Sequence, residues 1–194
     1  RGSIHALIGP NGAGKTTCFN LLTRFLPVSS GRIHFDGRDI TPLDAASVAR
    51  LGLVRSFQIS AVFRDLSVLD NVRVALQSRG GGTFAFWRNA RALDRFTPRA
   101  EELIAAVGLE RWTDSAAAEL PYGRKRALEL ATTLALEPRL VLLDEPTSGL
   151  GREDIGPVTR LIGDVARRCT VLMVEHNMKV VADLCERITV LQSG

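Results

Sequence analysis

A glycine-rich segment near the start of the chain constrains its fold more than any other feature. Residues 9–16 read GPNGAGKT and fit the pattern GxxxxGK[ST]; they follow a short apolar run and precede a segment of helical periodicity. Strand, glycine loop and helix in this order place a phosphate-binding loop at a helix N-terminus. A glycine turn that carries Lys-Thr by chance is the alternative, but the flanking elements argue against it. The segment predicts a nucleoside-triphosphate-binding domain.

Each position of this loop has a chemical reason. Its glycines permit backbone angles and close approaches that side chains would block. The loop amides point at phosphate oxygens, Lys15 reaches the outer phosphates, the Thr16 hydroxyl is a predicted magnesium ligand and Thr17 adds a hydroxyl to an inner phosphate. The predicted phosphate-binding residues are Gly9, Asn11, Gly12, Ala13, Gly14, Lys15, Thr16 and Thr17.

The order of elements predicts an α/β fold with a parallel-sheet core, an antiparallel β edge near residues 31–37 and a helical insertion. We expect residues 1–65 and 137–194 to form the core and residues 66–136 the helical subdomain. Thr97 is expected to cap the helix that ends near Val107. Strand-like runs lie at both chain ends, so we expect a fragment truncated at both ends.

Two carboxylates follow a predicted buried strand. Residues 140–143 read LVLL, and Asp144 and Glu145 come directly after them. Ligands of open α/β sheets bind at the carboxyl ends of strands. Asp144 is suited to hold magnesium, and Glu145 to polarise the water that attacks the γ-phosphate. A solvated acidic turn is the alternative, and the accompanying phosphate loop favours the functional interpretation.

A histidine follows the next apolar strand. Residues 171–174 read VLMV, and Glu175 and His176 come after them. His176 is therefore expected at the same sheet edge, within reach of the γ-phosphate or the attacking water. A surface histidine, or one that is satisfied within the core, is the alternative.

Composition restricts the class of protein. The chain has 194 residues, of which 45% are hydrophobic and 24% charged, as in a globular domain. No apolar run approaches the roughly 20 residues of a membrane helix, so a membrane role requires a partner that carries the spans. The net charge of +4 admits nucleic-acid binding, but we favour a solvated arginine-rich surface. The apolar contexts of Cys18, Cys169 and Cys185 predict buried free thiols.

The motifs in this order resemble those of ABC transporter ATP-binding subunits over nearly the whole chain. Gln58 matches the Q-loop glutamine, which the resemblance implies binds magnesium and faces the membrane partner. LPYGRKR at residues 120–126 lies at the signature position, SGLG at 148–151 lies at the D-loop, and His176 matches the switch histidine. The resemblance implies the ABC ATPase fold, a P-loop NTPase fold, with ATP and Mg²⁺ as cofactors.

Details of these motifs resemble the branched-chain amino-acid uptake ATPases in particular. They include RSFQ at residues 55–58, LPYG at 120–123 and VEHNM at 174–178. The resemblance implies a peripheral subunit at the cytoplasmic face of the inner membrane, bound to transmembrane permease subunits. It also implies a second ATPase subunit, as a homo- or heterodimer, and no nucleic-acid partner is expected.

The chain departs from the family pattern at several positions. Pro121 and Tyr122 replace the usual serine and first glycine of the signature, and Gly151 stands where Asn or Asp is common. Gly123 and the helix behind it still offer amides to a facing nucleotide. The aromatic residue that stacks on adenine in this family would lie upstream of Arg1. We therefore expect the isolated chain to bind nucleotide weakly and to hydrolyse it poorly.

The sequence is compatible with two alternative functions and contains one segment that has two interpretations. An ABC ATPase that acts on nucleic acid would usually carry a long coiled coil or tandem domains, and this sequence contains neither. A regulatory module that binds ATP without hydrolysis is compatible with the altered signature. Residues 79–99 are rich in arginine and aromatic side chains; a solvated insert is the simplest interpretation, and a contact with permease loops or anionic lipid is the alternative.

Overall fold

The apolar runs of the sequence form a parallel sheet. The computed structural model describes residues 2–56, 62–79 and 90–192. Strands in this part are β1 (Ile4–Ile8), β2 (His34–Phe35), β3 (Arg38–Asp39), β4 (Leu53–Ser56), β5 (Leu140–Asp144), β6 (Thr170–Val174) and β7 (Arg187–Val190). The main sheet has the order β4-β5-β6-β1-β7, and β2 pairs with β3 in a separate sheet.

The register aligns the ends of three central strands. Leu7 of β1 pairs with Val174 of β6, and Val174 pairs with Asp144 of β5, in parallel ladders. The middle three residues of β5 are almost completely buried, as expected for a strand that is covered on both faces. Because the ladders are parallel, the segments that follow these strands leave the sheet side by side.

The small second sheet is a tight hairpin. β2 and β3 are antiparallel and are joined by Asp36 and Gly37, whose φ angles are 51° and 78°. Two central residues at positive φ define a type I′ turn, which Asp-Gly favours. The antiparallel strand expected over residues 31–37 is therefore present but shorter, since pairing is limited to two residues on each side.

Helices connect the strands and fill the middle of the chain. They are α1 (Lys15–Leu22), α2 (Ala45–Arg50), α3 (Val68–Arg79), α4 (Thr97–Ala106), α5 (Tyr122–Ala135), α6 (Arg152–Ala166) and α7 (Met178–Leu184). The predicted α/β class, with its parallel core, antiparallel edge and helical middle, is confirmed. None of the helices in the described ranges is long and apolar enough to cross a membrane.

The predicted cap of α4 is wrong. Thr97 is the first residue of the helix, and Phe96 occupies the cap position with helical angles (φ −92°, ψ −8°) and no side-chain hydrogen bond. A 3₁₀ segment, Ala90–Phe96, runs directly into α4. The extended residue that a side-chain cap requires is therefore missing. Pro98 still fits within the first turn of the helix, because that turn needs no amide donor at its position.

The described chain forms two compact units. The first comprises residues 2–55, 138–146 and 166–192, and the second comprises residues 56, 62–79, 90–137 and 147–165. In the first unit, Phe19, Ile40 and Leu142 are completely buried in one apolar cluster. Complete burial of such side chains stabilises a fold by about 1.5–3 kcal/mol each. The predicted division into residues 1–65 with 137–194 and residues 66–136 stays a prediction.

None of the three cysteines forms a disulfide in the described residues, and they are not equally buried. Cys169 is buried, whereas Cys18 and Cys185 are half-buried, so the prediction of three buried thiols is only partly correct. Cys18 lies on α1, and Cys185 directly follows α7. Burial raises the pKa of the Cys169 thiol to about 11, which keeps it protonated at neutral pH.

Helix α5 contains a buried ion pair. Arg126 Nη1 donates to Glu129 Oε2 at 2.7 Å, and both side chains are at most 6% exposed. Arg126 Nε and Glu129 Oε1 are buried without a hydrogen-bond partner in the described structure. Burial raises the pKa of the Glu129 carboxyl, while the neighbouring guanidinium acts in the opposite direction. The pair therefore carries an uncompensated cost of desolvation.

We expect Glu129→Ala to lower the free energy of unfolding by roughly 3–5 kcal/mol, because it leaves Arg126 buried and unpaired. The double variant Arg126→Met/Glu129→Leu should cost much less or even stabilise the protein, since it removes both charges. Urea denaturation measures both changes. Asp183→Ala, which breaks the exposed Lys179–Asp183 pair, is the control, with an expected change below about 0.5 kcal/mol. Equal losses in the single and double variants would contradict this account.

Candidate nucleotide-binding site

The phosphate loop has the backbone that its glycines predict. It leaves β1 at Gly9 and enters α1 through Gly14, which is the helix N-cap in a left-handed conformation. Gly9, Gly12 and Gly14 have φ angles of 153°, 82° and 94°. The amide of Ala13 donates to the Pro10 carbonyl at 3.2 Å and closes the turn. The loop thus presents the N-terminus of α1, an anion-binding position.

Gly9 is also required for space. A Cβ atom at this position would lie 2.1 Å from the carbonyl oxygen of Leu191, which follows β7. That oxygen belongs to the backbone and cannot be moved by a change of rotamer. The Leu191 amide in turn donates to the Ile8 carbonyl at 2.8 Å, so the two segments are fixed against each other.

Lys15 lies across the loop. Its ammonium donates to the carbonyl oxygens of Gly9 and Pro10 at 2.8 and 2.9 Å, and the residue is only 7% exposed. A lysine in this arrangement holds a positive charge at the mouth of the loop. The predicted contact residues Thr16 and Thr17 are exposed at the start of α1, and Asn11 and Gly12 are exposed in the loop before it. Their polar groups are accessible to a phosphate ligand.

The two acids and the histidine lie at the sheet edge where they were expected. Asp144 is the last residue of β5, and the Glu145 amide donates to the Val174 carbonyl at 2.9 Å. Glu145 Oε1 lies 2.9 Å from His176 Nε2, within hydrogen-bond distance. Both side chains are partly exposed, at 36% and 46%. The structure therefore brings Glu145 and His176 together in a position that solvent can reach.

The backbone of Glu145 is unusual. Its φ angle is 47°, in the left-handed region that residues with a Cβ rarely adopt. Strained conformations of this kind concentrate at functional sites, because the surrounding structure must hold them. Here the hydrogen bond from the Glu145 amide to the Val174 carbonyl holds the backbone, and the contact with His176 holds the side chain.

Asp144 has a partner that the sequence analysis did not identify. Arg55 of β4 donates from Nη2 to Asp144 Oδ2 at 2.5 Å. A charged residue within the otherwise apolar start of β4, which reads LVRS, was the only available signal. The pairing itself depends on the adjacency of β4 and β5 in the sheet, which the sequence does not reveal.

The available donor groups suit a magnesium ion that also binds ligand phosphates better than a metal coordinated entirely by protein side chains. Thr16 offers a hydroxyl and Asp144 a carboxylate, and both are hard oxygen donors. Within residues 2–56, 62–79 and 90–192, no group of three or more His, Cys, Asp or Glu side chains could hold a metal ion. Magnesium is usually bound through one or two carboxylates together with ligand phosphates, so this chain could supply its share of the ligands.

The signature segment lies in the second unit and opens α5. Pro121 is the N-cap, and the Tyr122 hydroxyl donates to the Ser148 carbonyl at 3.3 Å. Gly123 is buried, and a Cβ atom there would lie 2.5 Å from the carboxyl carbon of Asp154. Tyr122 therefore connects the signature to the D-loop of its own chain, which begins at Ser148.

Some predicted features lie outside the described residues. Gln58 is one of them, so its proposed roles in cofactor and metal binding stay predictions. Residues 80–89 of the arginine-rich insert are also outside this range. In the described part of the insert, the guanidinium of Arg95 lies 4.6 Å from the centre of the Phe96 ring, a cation–π contact.

Comparison with known proteins points to one family. Residues 1–148 match the family model described as ABC transporter. The high-affinity branched-chain amino acid transport ATP-binding protein LivG of Salmonella typhimurium is 37% identical over 98% of this chain and 78% of its own length. The corresponding BraF protein of Pseudomonas aeruginosa is 35% identical with the same coverage.

Solved structures show the same fold. An ATP-binding cassette of an ABC transporter in its ADP conformation superimposes with a TM-score of 0.87 at 25% identity, covering 99% of this chain and 78% of the other. A dimeric cassette in a post-hydrolysis state, bound to ADP and Pi, has a TM-score of 0.80 at 25% identity and covers 100% of this chain and 82% of the other. The predicted ABC ATPase fold is confirmed.

We expect Gly9→Ala to destabilise the nucleotide-free protein more than Gly12→Ala. Both variants place a Cβ at positive φ, which costs about 1–2 kcal/mol for an L-residue. At Gly12 nothing lies within 4 Å of the new Cβ, whereas at Gly9 it meets the Leu191 backbone. Thermal and urea unfolding without nucleotide measure both losses; the excess at Gly9 combines the contact with Leu191 and the more extreme φ angle of 153°. Equal destabilisation by the two variants would show that the contact with Leu191 is unimportant.

Proposed function

This chain belongs to the ABC transporter family of ATP-binding proteins, and on that premise we propose that it hydrolyses ATP to energise an importer of branched-chain amino acids. The match to the family model and the alignment with LivG over 98% of the chain support the assignment. The amino-acid specificity is inferred from LivG and BraF, which are named as branched-chain amino acid transport proteins.

One observation carries the catalytic part of this proposal. Three parallel strands end at the same level, and each has one component of the site at its end or directly after it: the phosphate loop, Asp144 with Glu145, and His176. Adjacent strands lie about 4.8 Å apart, so β1 and β5 are separated by roughly 10 Å at this edge. A triphosphate bound on the α1 N-terminus would extend towards the two acids across that distance.

The proposed roles follow from this placement. The loop amides and Lys15 bind the phosphates, and Thr16 and Asp144 hold magnesium. When bound, magnesium would offset negative charge on the phosphate oxygens. Glu145 takes a proton from the attacking water, and His176, 2.9 Å from its carboxylate, orients that carboxylate and the γ-phosphate.

We further propose that two ATPase subunits close head-to-tail over two nucleotides. The post-hydrolysis relative is dimeric with ADP and Pi bound, which supports such pairing. Gly123 and the N-terminus of α5 would face the nucleotide of the second subunit. That subunit is a second copy of this chain or a related ATPase.

The remaining partners are transmembrane permease subunits. We propose that the chain binds them as a peripheral subunit at the cytoplasmic face of the inner membrane, through Gln58 and the helical subdomain at residues 66–136. Residues 1–65 and 137–194 would then form the catalytic core. Coupling through the helical part would transmit the closure of two ATPase subunits to the permease.

Glu145→Gln tests the catalytic role. We expect ATP turnover to fall by at least about 100-fold, since the general base is lost while the side chain keeps its size. Nucleotide binding should persist, and the variant should accumulate as an ATP-bound dimer. A phosphate-release assay and size-exclusion chromatography with ATP measure the two effects.

Lys15→Ala serves as the matched control, because it removes a phosphate contact and should abolish ATP-dependent dimerisation. Turnover in Glu145→Gln equal to that of the unchanged protein would remove Glu145 from the mechanism. ATP binding without turnover in the unchanged protein, even with its partner subunits present, would favour a regulatory module over an ATPase.

A further inference from the structure

Arg55 contacts groups on both α1 and β5. Its Nη2 donates to Asp144 Oδ2 at 2.5 Å and its Nη1 donates to Asn20 Oδ1 at 2.6 Å. Its guanidinium carbon lies 5.6 Å from the centre of the Phe19 ring, a side chain that is completely buried. The Arg55 side chain is 12% exposed and that of Asp144 is 16% exposed.

These contacts join two elements of the proposed site. Asn20 lies one helical turn after Thr16 on α1, and Asp144 ends β5. The planar guanidinium donates to the two acceptors from separate N–H groups in a fixed geometry. A lysine ammonium has no such fixed arrangement of donors. Arg55 therefore links the helix that follows the phosphate loop to the carboxylate that we assign to magnesium.

The charges explain why such a residue is needed. The carboxylate of Asp144 is only 16% exposed, so a charge-assisted hydrogen bond from a nearby cation replaces part of its hydration. In this structure the guanidinium provides that charge through Oδ2. Magnesium seeks the same carboxylate oxygens. A second cation near Asp144 therefore meets repulsion from Arg55 and a carboxylate whose charge is already shared.

We propose that Arg55 is the resident counter-ion of Asp144: it holds the carboxylate in place before Mg²⁺–nucleotide binds and raises the Mg²⁺ concentration that binding requires. This role rests on the proposed assignment of Asp144 as a magnesium ligand. Arg55 is a positioning residue, since it acts through Asp144 and not on the substrate. Its guanidinium determines the Mg²⁺ concentration at which half of the sites bind Mg²⁺–nucleotide.

Arg55→Met tests this role, because it keeps the apolar stem over Phe19 and removes the charge. Binding of a fluorescent, non-hydrolysable ATP analogue is measured as Mg²⁺ is titrated, and again in EDTA. We expect the half-saturating Mg²⁺ concentration to fall by roughly fivefold or more, in the range of ordinary coupling between two sites. Binding in EDTA should change by less than about twofold, since the proposed role acts on the carboxylate of Asp144, which contributes to binding only when Mg²⁺ is present.

A second readout concerns stability. Without Mg²⁺ the variant leaves Asp144 enclosed and unpaired, so its melting temperature should fall, and adding Mg²⁺ with the analogue should raise it by more than in the unchanged protein. Arg55→Lys should give a Mg²⁺ requirement and a melting temperature between those of Arg55→Met and the unchanged protein. It replaces Arg55→Met in the test if that variant does not fold. Arg139→Met is the control, because it removes an Arg–Asp pair with Asp36 that includes no predicted ligand.

The outcomes separate this inference from the function on which it rests. An unchanged or raised Mg²⁺ requirement in a folded Arg55 variant that binds the analogue in EDTA would overturn the counter-ion role and leave the ATPase assignment intact. No Mg²⁺-dependent binding in the unchanged protein would instead refute the proposed magnesium site, and the counter-ion role with it. A shift of the same size in Arg139→Met would show a general effect of surface charge and would also overturn the role.

Discussion

The parallel register of β1, β6 and β5 is the constraint on which the candidate site depends. It brings the ends of three separate chain segments to one level, so that each loop begins beside the next. Strand pairing of this kind is specified by buried apolar side chains, which would move to the opposite face if the register slipped by one residue. The hydrophobic core therefore determines not only that the sheet forms but also which polar residues meet at its edge.

Much of this arrangement could be predicted from the sequence, because its signals are local. Continuous apolar runs define β5 and β6, and residues that directly follow such strands must lie at the sheet edge, as Glu145 and His176 do. The pairing of Arg55 with Asp144 could not be predicted, since it depends on which strands are neighbours. The expected cap at Thr97 failed for a different reason: a preceding 3₁₀ segment already supplied helical geometry. The role of Gln58 in cofactor and metal binding stays a prediction, because this residue lies outside the described range.

Electrostatics at this edge follows one rule in two places. A charged group that the fold encloses is matched by a charge or by carbonyl groups of the same chain: Lys15 by two loop carbonyls and Asp144 by Arg55. Such matches compensate part of the cost of removing these charges from water. They also oppose change, because a ligand must form contacts strong enough to replace them. A nucleotide or metal at the proposed site would therefore have to replace contacts that the side chains of this chain already form with one another.

The left-handed backbone at Glu145 has an evolutionary consequence. Glycine would adopt a φ of 47° without strain, so the position favours a residue that cannot perform acid–base chemistry. Replacement of Glu145 by glycine would relieve this strain and, under the role that we propose, would remove the general base at the same time. Under that role, the carboxylate is kept at the cost of backbone stability. The residue at this position would then distinguish chains that hydrolyse ATP from chains that only bind it.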